Sequence, residues 1–393
     1  GSEMCIRDSE STIWFPTVLT FAAVSLAFMG PNQRWDEALA ANKWYILIIV
    51  LCVYWAATLL NLRGMRTSAG VTKWGTMIGT IIPGAILILL GLSYWAGGNP
   101  ILLDMSWDKL VPDMTNFNNL VLAASIFLFY AGMEMSAVHV KDVNDPGRNY
   151  PLAILISAII TVVIFVLGTL AIGFIIPNSQ INLVQSLLIS YDNYFSFFGL
   201  GWMNWIMALA LAVGVLAQVT AWVGGPSKGL YQVGLAGNLP PVMQKRNKNN
   251  VQEGILIIQG CIVTLLSSLY IVMDDVSVAF FLLSALTVGL YLVMYMMMYA
   301  AGIRLRYTQP DLTRSYRVPG GNAGMWAIGG IGFLAVLFSF IVTFFPPSQL
   351  PVGSPATYTW LVAVGTLVFL SMPFIISFAM DRRGGTNTPG TGK

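Results

Sequence analysis

Glu134 is the only charged side chain inside the long apolar stretches of this chain, within FYAGMEMSAVHVKDVNDPGRNYP. A carboxylate near the centre of a bilayer costs about 2.5–3.5 kcal/mol to insert, so it is expected to have a partner, a water-filled cavity or a function. Gly132 lies two residues earlier and permits backbone conformations that other residues avoid. We therefore predict a helix break near Tyr130–Met133 and a polar site beside Glu134, as in membrane proteins with interrupted helices. The alternative is a structural carboxylate hydrogen-bonded to a neighbouring helix.

The composition determines which elements must position this residue. The chain has 393 residues, of which 56% are hydrophobic and 9% charged, with a mean hydropathy of +0.72. Soluble domains carry about 25% charged residues. Apolar runs of roughly 20 residues without period-two alternation predict an all-α polytopic membrane protein with ten transmembrane helices. The predicted spans are 13–29, 44–60, 74–96, 120–138, 151–176, 202–222, 254–273, 278–301, 325–345 and 358–380.

The basic residues predict the orientation of these spans. Sixteen of the 20 lysines and arginines fall in alternate loops and in the C-terminal tail. By the positive-inside rule, this asymmetry puts both termini in the cytoplasm. The net charge of +3 is therefore explained by topology, and no nucleic-acid partner is expected.

The scarcity of reactive side chains excludes several kinds of chemistry. The chain has one histidine, His139, and three cysteines. With one histidine, neither a histidine-based metal site nor a Ser-His-Asp triad is expected, and the three cysteines do not predict a disulfide framework. No G-x-x-x-x-G-K-[ST] motif is present. We predict a protein that is not an enzyme and has no cofactor and no metal site.

The chain divides into three unequal parts. Residues 1–10 are polar and lack a signal-peptide core, so we interpret them as a remnant of sequence assembly or of an expression vector. Residues 11–383 form the predicted transmembrane domain, in which Pro83 should kink its span. Residues 384–393 form a Gly/Thr-rich cytoplasmic tail.

Two polar motifs flank the apolar spans. The first, KDVNDPGRNYP (141–151), reads as a tight inner loop in which Arg148 could pair with Asp142 or Asp145 and Pro151 opens the next helix. The second, GGPSKGLY (224–231), precedes NLPP and KRNKNN and reads as a short amphipathic cytoplasmic segment that follows its span. The residues that we assign to this cytoplasmic signature are Asn144, Pro146, Arg148, Gly225, Pro226, Ser227 and Lys228.

The order of these motifs resembles that of the amino acid–polyamine–organocation (APC) transporters, and among them the bacterial glutamate/γ-aminobutyrate antiporters. The resemblance covers residues 13–383. It implies a LeuT-type fold, with two inverted repeats of five helices and two peripheral helices. If the span with Glu134 is the sixth family helix, the first span here is the third. The first two family helices would then be absent, and we would not expect the chain as given to transport.

The resemblance also implies a set of substrate-binding residues. Tyr130, Gly132 and Glu134 match the broken sixth helix of the family. Tyr291 and Tyr295 match tyrosines that line the transport path in the antiporters. Gln218 stands where the glutamate/γ-aminobutyrate antiporter has an acidic residue, which leaves the exact substrate open.

The function that this resemblance implies is secondary active amino acid exchange by alternating access in the bacterial inner membrane. The expected partners are amino acid substrates and the lipid bilayer, with a homodimer as a further expectation. A proton-coupled amino acid symporter is one alternative. A non-transporting sensor or partner subunit is another.

Overall fold

The computed structural model describes residues 2–30, 32–106, 113, 115–117, 119–121, 132–134, 137, 143–182, 185–235, 239–273, 276–314, 316–346 and 354–382. Within these ranges the regular structure is helical and contains no strand, which confirms the all-α class. The helices are α1 Ser2–Ala27, α2 Gln33–Ala40, α3 Lys43–Leu62, α4 Met65–Thr76, α5 Ile82–Ala96, α6 Pro146–Ile175, α7 Ser186–Phe197, α8 Asn204–Val233, α9 Glu253–Ser267, α10 Leu269–Val272, α11 Val276–Thr308, α12 Gly321–Thr343 and α13 Pro355–Arg382.

Eight helical segments of the described chain are long and apolar enough to cross a bilayer. The segment Ser11–Ala27 is a shorter apolar helix. Together they correspond to nine of the ten predicted spans, and the tenth, 120–138, lies mostly outside the described residues. The chain is therefore a polytopic helical membrane protein. The short helices α2 and α7 were not predicted, because neither has a long apolar run.

Helix α1 lies at the centre of the fold, where it packs against α3, α8, α9, α11 and α13. Its small hydroxyl side chains allow close packing, and several of them donate hydrogen bonds to backbone carbonyls of the same helix. Thr17 Oγ1 donates to the Trp14 carbonyl at 2.6 Å and Ser25 Oγ to the Phe21 carbonyl at 2.7 Å. The hydroxyl groups of Thr17 and Ser25 therefore find their acceptors on the backbone of their own helix.

A glycine seam joins α4, α5 and the intervening π-helical turn Met77–Ile81 to α8. A Cβ on Gly79 would lie 2.2 Å from the backbone of Gly214, and a Cβ on Gly75 would lie 2.4 Å from the Cβ of Ala217. The predicted disturbance at Pro83 takes the form of this π turn, which ends just before the proline. Proline cannot donate to the helical ladder, so a wider turn in front of it relieves the missing bond.

Two sequence interpretations of the inner segments are wrong. Helix α6 begins at Pro146 rather than at Pro151, because Pro146 occupies the first helical position, directly after Asp145 in the left-handed conformation (φ 46°). The segment GGPSKGLY does not leave its span, because α8 continues through it to Val233. Its Ser227 Oγ donates to the Val223 carbonyl at 2.7 Å, and Pro226 is buried by tertiary packing that overrides its low helix propensity.

Side-chain contacts between loops define the two ends of the bundle. At one end, Asn247 Nδ2 donates to the Leu62 carbonyl at 2.8 Å, which joins the chain after α8 to the end of α3. At the other end, Lys43 Nζ donates to the Met273 carbonyl at 2.5 Å, which joins the start of α3 to the end of α10. Loops of alternate spans thus meet at the same end, as the distribution of basic residues predicts.

Candidate functional site

The span that contains Glu134 is interrupted at Gly132. This glycine has a φ of +100°, which no residue of a right-handed helix adopts, and Met133 and Glu134 follow in a 3₁₀ turn. The predicted break is therefore confirmed at Gly132. Tyr130, the first residue of the predicted break, lies outside the described residues.

The Glu134 carboxylate accepts hydrogen bonds from three groups. The Tyr291 hydroxyl donates to Oε1, and the Tyr295 hydroxyl donates to Oε2 at 2.5 Å. The Gly132 N–H approaches both Oε2 of Glu134 at 3.1 Å and the Tyr295 hydroxyl oxygen at 3.2 Å. Because the backbone turns at Gly132, this amide points to the site instead of to a helical carbonyl. All three donors are neutral, so they orient the carboxylate without supplying a positive charge.

Helix α11 places the two tyrosines on one face. Tyr291 and Tyr295 are four residues apart, so their side chains lie one above the other. Their rings meet edge to face with centroids 5.0 Å apart, and Tyr291 is 2% exposed. The hydroxyl groups are thereby fixed at the spacing of the two carboxylate oxygens. These contacts join the interrupted span to α11.

Two tryptophans complete the wall of the site, and sequence reasoning missed both. Trp222 of α8 lies 6.4 Å from Tyr291 between ring centroids, and a Cβ on Gly132 would be 3.0 Å from its indole ring. Trp14 of α1 lies 5.1 Å from Trp222 between centroids. Nothing in the sequence signalled this, because Trp14 and Trp222 stand at the ends of the predicted spans 13–29 and 202–222, where tryptophan is usually an interfacial anchor.

The structure brings together four of the six predicted substrate-binding residues: Gly132, Glu134, Tyr291 and Tyr295. Gln218 lies on α8 one turn before Trp222, on the same helix face, and is exposed. It therefore flanks the site without taking part in the described hydrogen bonds to Glu134. Tyr130, outside the described residues, is the sixth.

The cytoplasmic signature is divided between two helices. Its first part starts α6, where Pro146 is the first helical residue, the Asn144 carbonyl accepts from Asn149 Nδ2 at 2.7 Å, and Arg148 is exposed. Its second part, Gly225, Pro226, Ser227 and Lys228, belongs to the last turns of α8. Gln252 Nε2 donates to Ser227 Oγ at 2.8 Å, which fastens this end of α8 to the start of α9.

The site offers a carboxylate, two phenols and two indole rings. Carboxylate oxygens accept hydrogen bonds from an ammonium group, and aromatic faces attract cations. In the described part of the chain, no group of three or more histidine, cysteine, aspartate or glutamate residues could hold a metal ion. The arrangement is therefore suited to an organic cation or zwitterion.

Comparison with known proteins gives a consistent picture. A family profile described as "Amino acid permease" matches residues 11–369. The chain is 35% identical over 374 residues to an uncharacterized transporter of Legionella pneumophila, covering 95% of this chain and 79% of that protein. It is 32% identical over 378 residues to a glutamate/γ-aminobutyrate antiporter of Lactococcus lactis, covering 95% and 74%. A probable agmatine/putrescine antiporter of Lactococcus lactis is 21% identical over 311 residues, covering 78% and 65%.

Proposed function

The chain belongs to the amino acid permease family of the APC superfamily, which is a family of transporters rather than enzymes, and from this premise we propose that it is an amino acid antiporter of the glutamate/γ-aminobutyrate type. Because its relatives are bacterial transporters, we propose the bacterial inner membrane as its location. The positive-inside rule is the reason for proposing that both termini are cytoplasmic. The proposed partners are amino acid substrates and the lipid bilayer.

The observation that carries the proposal is the environment of Glu134. Its carboxylate is partly buried and is held by Tyr291, Tyr295 and the Gly132 N–H, all of them neutral. A carboxylate in a dry site is costly unless a positive charge offsets it. The ammonium group of an amino acid supplies that charge, and the Gly132 N–H at the helix break is a donor that the substrate carboxylate can take over from Glu134.

The same contacts suggest how binding is coupled to alternating access. Glu134 lies on the interrupted span, whereas Tyr291 and Tyr295 lie on α11. Rocking of one element against the other must break or rearrange these hydrogen bonds. A substrate ammonium that replaces a tyrosine hydroxyl on the carboxylate would favour that rearrangement, and so would protonation of Glu134. Exchange then requires a substrate on each side in turn.

The test is exchange in proteoliposomes that contain the protein expressed from its complete reading frame. Radiolabelled glutamate should enter vesicles loaded with γ-aminobutyrate and should not enter empty ones. Glu134→Gln keeps the size of the side chain but cannot ionise, so exchange should fall well beyond any loss of reconstituted protein. Glu37→Gln, which removes a charge from the exposed helix α2, is the matched control.

Three outcomes would contradict the proposal in different ways. Uptake into empty vesicles driven by a proton gradient would instead indicate a symporter. Binding without any flux would indicate a sensor or partner subunit. Wild-type exchange by the Glu134→Gln variant between pH 5 and 8 would make Glu134 structural.

A further inference from the structure

A polar cavity lies at the end of the bundle where Lys43 contacts Met273. It has a volume of about 160 Å³ and is formed by α2, α7, the start of α8 and the turn after α1. Its polar lining includes Asn32, Asp36, Asp192 and Asn204, and aromatic rings of α7 and α8 form another part of the wall. None of these residues takes part in the proposed transport site.

Asp36 is buried in this cavity with an unsatisfied oxygen. The residue is 6% exposed, and its Oδ1 has no hydrogen-bond partner in the described part of the chain. Gly30 passes so close that a Cβ there would lie 2.0 Å from this oxygen. A glycine at position 30 therefore leaves the space that the carboxylate occupies. A buried acceptor without a donor is costly, and its presence at a cavity wall points to a ligand that donates.

A second acceptor with the same property faces the cavity from α8. Asn204 donates its Nδ2 to Asp192, which leaves its Oδ1 as an acceptor. That Oδ1 is buried and also lacks a partner in the described ranges. The cavity therefore combines two carboxylates with two orphaned oxygens, one from Asp36 and one from Asn204.

The charges of the site are poorly compensated. Burial, and next the negative charge of Asp192, raise the pKa of Asp36 to about 6, with a smaller contribution from Glu37, while the backbone amide of Gly30 offsets part of the rise. Burial also raises the pKa of Asp192, and its hydrogen bond from Asn204 acts in the opposite direction. A cation in the cavity would stabilise both carboxylates in their charged form.

We propose that this cavity binds the primary ammonium group of a small organic amine. An ammonium has three donors, which match acceptors on Asp36, Asp192 and Asn204. The Tyr191 hydroxyl donates to the Pro83 carbonyl at 2.7 Å, so it is the tyrosine ring that remains for the organic part of the ligand. A divalent metal fits less well, because the described residues offer no cluster of three acidic, histidine or cysteine side chains.

The experiment is calorimetric titration of the detergent-solubilised protein with ethylammonium chloride at constant ionic strength. Tetramethylammonium carries the same charge without N–H donors, so it should bind at least tenfold more weakly to the wild-type protein. Equal binding of the two cations, or binding of neither, would overturn the proposal without any variant. Calcium that binds in place of ethylammonium would overturn it as well.

Variants then locate the site. Asp36→Asn should weaken ethylammonium binding at least tenfold, whereas Asp311→Asn, at an exposed carboxylate in the loop after α11, should leave it unchanged. Equal loss in both variants would indicate a diffuse surface effect and contradict the proposal. Asp192→Asn gives an independent second reading should Asp36→Asn fold poorly. These experiments measure binding and not transport, so their outcome is independent of the outcome of the transport assays.

The amine can come from solution or from an ethanolamine lipid headgroup. Nanodiscs with and without phosphatidylethanolamine separate the two sources. Ethylammonium binding that disappears only in phosphatidylethanolamine discs assigns the cavity to the lipid headgroup. Equal binding in both assigns it to a soluble amine.

Discussion

Tyr295 donates its hydroxyl to Glu134 at 2.5 Å, across 161 positions of the sequence. The bond joins the turn after Gly132 to the middle of α11, and the Gly132 amide approaches the same hydroxyl at 3.2 Å. Glycine, tyrosine and carboxylate therefore form one hydrogen-bonded triangle. The triangle requires the break in the helix, because only there can the Gly132 N–H bond to Glu134 and Tyr295 instead of to a helical carbonyl.

Removing the Tyr295 hydroxyl tests this triangle. Hydrogen bonds to charged groups contribute about 1.5–3 kcal/mol, so Tyr295→Phe should reduce exchange by roughly tenfold or more. Tyr299→Phe removes a hydroxyl one turn further along α11, where the ring stacks on Tyr295 at 6.4 Å, and should retain most activity. Initial exchange rates per reconstituted protein decide the point. Equal rates in the two variants would show that the hydroxyl bond to Glu134 is dispensable.

The backbone turn at Gly132 is a second target. An alanine there meets two obstacles, the left-handed φ of +100° and the Trp222 ring 3.0 Å from its Cβ. Gly199→Ala is a matched control, because Gly199 has a φ of +70° and open space around it. Backbone strain of about 1–2 kcal/mol is common to both variants. Only Gly132→Ala should also lose exchange, and retention of exchange would exclude a role for the close contact with Trp222.

The sequence was sufficient to predict the class of fold and the helix break beside Glu134. Long apolar runs predict spans because a bilayer requires about 20 residues, and a lone carboxylate beside a glycine is unusual enough to mark Glu134. The resemblance to a known family assigned Tyr291 and Tyr295 to the same set of residues as Glu134, and their hydrogen bonds to it were found only in the structure. Their spacing alone shows only that the two tyrosines share a helix face.

Other features could not be predicted because they depend on tertiary packing. Trp14 and Trp222 are distant in sequence, and nothing local shows that their rings meet. Pro226 suggested the end of a helix, yet burial keeps α8 intact around it. The helix α7 has only 12 residues, too few to be predicted as a span, and only the structure shows that Asp192 on it approaches Asp36.

Adding a single methyl group to the glycine seam should destabilise the protein. This seam joins the span of α4 and α5 to helix α8. In Gly79→Ala, the new Cβ would lie 2.2 Å from the backbone of Gly214, so the helices must separate. Overpacking of this kind costs about 1–3 kcal/mol, and the thermal midpoint in detergent should fall. Gly70→Ala places its Cβ in open space on exposed α4, where alanine favours the helix. A midpoint that falls equally in both variants would contradict the seam.

Asp36 should make stability depend on pH. Its pKa is raised to about 6, so the folded state favours the neutral carboxyl, and this stabilisation is lost as the pH rises through about 6. In buffer free of amines, the wild-type thermal midpoint should therefore fall as the pH rises from about 4 to about 6. The pKa of Asp192 is also raised, so this residue contributes to stability with the same sign. The charge of Glu37, beside the site, contributes to the raised pKa of Asp36. Asp36→Asn should reduce the slope, whereas Asp311→Asn, in the exposed loop after α11, should not, and parallel curves for all three proteins would contradict the assignment.

Sidedness is the last prediction. Arg148 is near the start of α6 and Lys228 is near the end of α8. The chain crosses the membrane once in each of these two helices, so both residues lie on the same side. Cysteines introduced there should be cytoplasmic by the positive-inside rule. The background must lack Cys5, Cys52 and Cys261, since the latter two are free and exposed.

An impermeant maleimide added outside sealed cells should label Arg34→Cys on the opposite end and leave Arg148→Cys and Lys228→Cys unmodified until the membrane is opened. Arg34 is exposed on α2, so its labelling shows that the reagent reaches the outer surface. Labelling of position 148 or 228 from outside would show that the topology is the inverse of the proposed one. It would also move the amine cavity, which lies at the Arg34 end, to the cytoplasmic face.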